Sequence, residues 1–169
     1  MYDPSIWRDY FVMVGGGAAA LTGLVFVAMT LHLEDIVNHP VHRHRARTIL
    51  TGLTAVFLRC GLVLMGGQSH QAIAIEIIAV LVVVEVILYR SLRDALNAAD
   101  AAVVMRTVGS FACLVVEQSG AVAFFLGATW GLYVVGIGML GSFVFMVTGA
   151  WLLLVGVGGK ARVEALTRD

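Results

Sequence analysis

Four ionisable residues interrupt the long apolar stretches of this chain: Arg59, Glu76, Glu85 and Glu117. A charge near the centre of a bilayer costs about 3 kcal/mol or more on insertion scales, so each needs a partner or a task. Arg59 precedes the polar turn GGQSHQ by about eight residues, which is roughly 12 Å at helical rise. Glu76 follows that turn by five or six residues, roughly 8 Å. The two helices of such a hairpin must be neighbours, and an arginine side chain can cover the difference in depth by snorkelling. Arg59 with Glu76 is therefore the first expected ion pair. Glu117 lies about ten residues before a second turn, near 15 Å, within reach of the same arginine. The expected inner set is Arg59 with Glu76 and Glu117, one negative charge in excess.

Glu117 belongs to a stripe of Ser110, Cys113, Glu117, Gly120 and Phe124, spaced by three and four. These share one helix face, small and polar enough to look at protein or water rather than lipid. Gln118 and Ser119 add hydrogen-bonding capacity beside it. Glu85, nine residues after Glu76, points the opposite way round the helix. It either reaches water or a basic loop near its end of the span, or makes a subunit contact or a second station for a cation or proton. Two chemistries are open to the whole set. One is a buried ion-pair network that fixes helix register; the other is an ion or proton pathway lined by carboxylates.

The remaining reactive residues offer less. Cys60 and Cys113 fall inside apolar runs with no CxxC or Cys/His metal spacing, and suit small buried hydrophobes. His32, His39, His42, His44 and His70 all lie at loops or span ends, which disfavours a bis-histidine haem site. The HPVHRH cluster reads as solvated loop histidines, with a pH-sensitive loop as the alternative; the arginines around it disfavour a cation site. HExxH, GxSxG, P-loop and GxGxxG motifs are absent from the sequence. No enzymatic activity, metal or cofactor is expected.

The elements that must position these residues follow from composition. Of 169 residues, 60% are hydrophobic, 13% are charged and two are proline, outside the soluble globular norm. The formal net charge of zero argues against a nucleic-acid partner. The start, MYDPSIWRDYF, lacks a basic n-region, and the apolar stretch after it is too long for a signal peptide. It is expected to be a retained first span, capped by Asp3-Pro4 and anchored by Trp7 and Tyr10. The expectation is an all-α integral membrane bundle of five transmembrane helices in one domain, 1–169. The spans are about 5–33, 48–66, 71–89, 102–125 and 130–157. The last apolar region would be about 85 Å long as one helix, nearly three bilayers, so it must break, and LGATWG is the place. The polar connector RSLRDALNAAD is open to continuing as a surface helix.

Small residues mark close-packing surfaces: Gly15, Ala19 and Gly23 on helix 1, and Gly131, Gly138, Ser142 and Gly149 on helix 5. They exceed what one five-helix bundle needs, so a homo-oligomer is expected. Arg43, Arg45, Arg47, Arg90, Arg93, Arg106, Lys160, Arg162 and Arg168 fall on one side of a five-span chain, nine of its eleven Lys and Arg. The positive-inside rule then puts the N-terminus outside and the C-terminus in the cytoplasm, with Trp151 at the far interface. A four-span chain would put the basic tail on the wrong side.

The opening span resembles that of a group of small bacterial membrane proteins of unknown function. Trp7, Asp9, Tyr10, Gly23, Leu24, Phe26, Val27 and Ala28 carry the likeness, over about the first fifth of the chain. It implies a bacterial plasma membrane and transfers no activity or site. From the residues, an oligomeric channel or proton/cation pathway through Arg59, Glu76, Glu117 and Glu85 ranks first. A non-conducting accessory or scaffold subunit ranks second.

Overall fold

The computed structural model describes residues 4–31, 33, 36, 40–97 and 101–166, and at some helix ends the backbone alone. The described residues form five helices: α1 Pro4–Leu31, α2 Pro40–Leu64, α3 His70–Asn97, α4 Ala101–Phe125 and α5 Gly131–Leu166. Each contains a stretch long and apolar enough to cross a membrane, and the all-helical bundle of five matches expectation.

The boundaries have local causes. Both tight turns sit at one end of the bundle, and each contains a glycine at positive φ, Gly67 at 81° and Gly127 at 91°. Only glycine takes that conformation without strain. After α4 the Gly127 N–H donates to Phe124 O at 3.0 Å and the Ala128 N–H to Ala123 O at 3.0 Å. That pair of bonds is the Schellman stop, and it places the break at the LGATWG segment. Ser69 caps α3: its hydroxyl accepts the Ala72 N–H at 3.2 Å.

Two helices run past their expected limits: α5 continues to Leu166, nine residues beyond the expected end, and α2 starts early. α2 begins at Pro40, eight residues before the expected span, so the later half of the basic loop is helical. Proline suits a first helical turn, and Arg and Ala extend a helix freely once outside hydrocarbon. α3 runs on through the connector to Asn97, the continuation that the connector's sequence left open. His32, His39 and Asp3 lie outside the described residues, as do the side chains of His42 and His44.

The arrangement of the helices sets which charges can meet. α2, α3, α4 and α5 close into a ring, each packed on the next and α5 back on α2, while α1 lies in the groove between α2 and α5. α2 and α4 are thus diagonal across the ring. The burial is inverted relative to a soluble protein: Val83, Ile137 and Trp151 face outward, whereas Arg59 and Glu117 are 1% and 0% exposed. That is the distribution lipid demands.

The small residues of α5 lie on packed seams. A Cβ on Gly120 would lie 2.7 Å from Gly131 O and 2.8 Å from Val135 N, so α4 and α5 meet backbone to backbone there. Gly149 lies against Ile49 of α2. On α1 the expected stripe divides: Gly15 packs on Cys60 within the bundle, whereas Ala19 and Gly23 face outward. Steps of four advance 400°, so the stripe drifts 40° at each step. The seam within the bundle runs at spacings of three, four and seven through Phe11, Val14, Ala18, Val25 and Met29.

Candidate functional site

The ring closes on one ion pair. Arg59 on α2 donates through Nη1 to Glu117 Oε2 on α4, and its Nε donates to Ala55 O at 3.1 Å. The Ser142 hydroxyl on α5 donates to Glu117 Oε1 at 2.7 Å. Three helices of the ring therefore meet at one carboxylate. Gly138, one turn before Ser142, makes room: a Cβ there would lie 3.1 Å from both Cys113 O and Glu117 N. On α3, Ile77 and Leu81 are fully buried, as are Val56 on α2 and Met139 on α5. The pair sits in an apolar environment with each carboxylate oxygen occupied.

Such a site suits a static lock. In low dielectric the Coulomb attraction is strong, but the cost of dehydrating both ions is of similar size. Net stability comes only when the leftover donors and acceptors are also met. Ser142 does this for the carboxylate. Its role in holding Glu117 was not legible as chemistry: the sequence marks it only as a small residue on the Gly138 face.

The first expected pairing is corrected. Glu76 does not take Arg59; it is half-buried near the turn, where the Gln68 amide donates to Oε1 at 2.9 Å and Oε2 at 3.1 Å. The reason is azimuth rather than depth. Ile77 and Leu81 point into the ring, and Glu76 stands 100° round from Ile77. Glu85 is half-buried in the α3 span, with no ion-pair partner among the described residues. The expected triad thus divides into a buried neutral pair and a turn-side carboxylate, with Glu85 apart from both. The Glu117 stripe does face protein, since Ser110, Gly120 and Phe124 are buried with it. Gln118 and Ser119 make no hydrogen bond to it among the described residues: Ser119 returns to Val116 O at 2.7 Å, and Gln118 Oε1 has no partner there.

Cys60 and Cys113 are free thiols on different seams, against Gly15 and Gly141. At the turn end, Tyr10 does more than anchor α1. Its hydroxyl donates to Gly136 O on α5 at 2.6 Å, and Trp7 stacks edge-on against Tyr133 at 4.6 Å. A bulkier residue at Gly136 would meet the Tyr10 ring, 3.3 Å from a modest Cβ.

Below the pair, away from the turns, the ring holds a narrow, partly open cavity of about 20 Å³ bordered by Thr51, Arg59, Val84, Ser110, Ser142 and Met146. A shallow apolar groove of about 560 Å³ lies outside it, between α2 and α3, lined by Thr54, Leu58, Ala79 and Val83. No family model matches the chain, and no curated protein or solved structure is similar to it.

Proposed function

We propose that the protein is a non-conducting membrane subunit, a helical scaffold held in register by its own central ion pair. The observation that carries this reading is the state of Glu117. The carboxylate deepest in the bundle is fully buried and accepts from both Arg59 and Ser142. A conducting carboxylate must exchange protons or ions with water, and one closed in this way has first to lose two partners. Outward-facing Ala19 and Gly23 leave α1 a smooth strip on which a second copy or a partner helix can lie. The basic balance supports an N-terminus outside a bacterial plasma membrane and a cytoplasmic C-terminus.

An ion or proton pathway is the second reading, and Glu85 favours it. A carboxylate in a span without a partner is costly unless it meets one at an interface or lines a route. Such a route would run between copies rather than through one ring. Mild-detergent extraction of the tagged full-length chain from its own membranes tests the scaffold reading. The expected result is comigration with other membrane proteins in fixed ratio. A chain that extracts alone, as a monomer, contradicts it.

A further inference from the structure

We propose that the cavity beside the ion pair is a binding site for one internal water molecule, held between the Arg59 guanidinium and the Ser110 hydroxyl. Arginine carries five N–H donors, and Arg59 uses two of them, on Ala55 O and Glu117. The guanidinium is 1% exposed and borders the cavity, so its remaining donors have no bulk water to meet. Ser110 is 5% exposed and borders the same space, and its hydroxyl has no hydrogen-bond partner among the described residues. Thr22 and Thr148 both return their hydroxyls to the carbonyl one turn back, at 2.7 and 2.9 Å, the ordinary resort of a helical hydroxyl.

Size and charge identify the guest. A water needs about 10–15 Å³ of such space and typically three hydrogen bonds; the cavity offers about 20 Å³. That excludes hydrated ions and organic ligands. The Arg59–Glu117 pair is neutral as a unit, which leaves no net charge to attract an ion. A water accepts from Arg59, exchanges a hydrogen bond with Ser110, and donates to the free lone pairs of Ser142 or Thr51. It thereby supplies the guanidinium with the partner that a stable buried ion pair requires. The same water belongs to the bundle whether it serves as a scaffold or as part of a pathway.

Two measurements on the purified full-length chain test it. An experimental structure at a resolution that shows internal waters is expected to hold density within hydrogen-bonding distance of both Arg59 and Ser110. Ser110→Val fills the space with a methyl group and removes the hydroxyl. Its melting temperature is expected to fall by about 3–6 °C, while Thr22→Val, a hydroxyl bonded within its own helix, moves it much less. Absence of that density where other internal waters are seen overturns the proposal. So does a Ser110→Val protein that melts at or above the wild type, the behaviour of a dry cavity being filled.

Discussion

A carboxylate that accepts from an arginine and a serine while enclosed by apolar side chains is stable only as a set. Removing one ion strands the other. Arg59→Met and Glu117→Leu are each expected to destabilise the bundle by about 3–5 kcal/mol, measured by unfolding in mixed detergent. The double replacement is expected to recover most of that loss, because a well-packed apolar pair of similar volume needs no compensation. Strictly additive losses would show that the two side chains do not depend on each other. Ser142→Ala removes one hydrogen bond to a charged acceptor and is expected to cost about 1.5–3 kcal/mol. Glu76→Gln keeps the contact with Gln68 near the turn and is expected to cost less than about 1 kcal/mol. A Glu76→Gln loss as large as that of Glu117→Leu would shift the centre of the network to the hairpin.

At the scale of the helices, the α4–α5 seam decides whether Glu117 can be seated at all. Gly138→Leu places a branched side chain against Cys113 O and the Glu117 backbone. It is expected to lower the yield of monodisperse protein sharply, since overpacking of about 1–3 kcal/mol or more falls on the central pair. Gly23→Leu, with nothing within 4 Å of the new Cβ, is expected to fold normally; size-exclusion profiles of the two proteins separate the cases. The all-helical class and the number of helices were legible in the sequence, because apolar length and the turn chemistry at Gly67 and Gly127 are local properties. Azimuth was not. Glu76 and Glu117 were both within reach of Arg59 by their distance from the turns, and choosing between them requires the rotation of α3 and α4 about their own axes. That rotation is set by distant contacts such as Gly120 on Gly131 and Gly15 on Cys60, which no local periodicity reveals. The same limit hid that, within one bundle, only Gly15 of the α1 stripe is packed while Ala19 and Gly23 face outward.

At the scale of the whole molecule, the ring of α2 to α5 with α1 in its outer groove presents both tight turns and the start of α1 at one end. If the basic residues hold the other end in the cytoplasm, a cysteine introduced at Ser69 or Ala128 of an otherwise cysteine-free chain reacts with an impermeant maleimide in intact cells. One introduced near Arg93 reacts only after lysis. The reverse pattern would invert the topology. Whether the ion pair seals the bundle or lines a route is decided by flux through purified protein in liposomes. A sealed bundle gives proton and monovalent cation leak no greater than that of protein-free vesicles, unchanged by Glu117→Gln. A wild-type flux clearly above that baseline and lost in Glu117→Gln would contradict it.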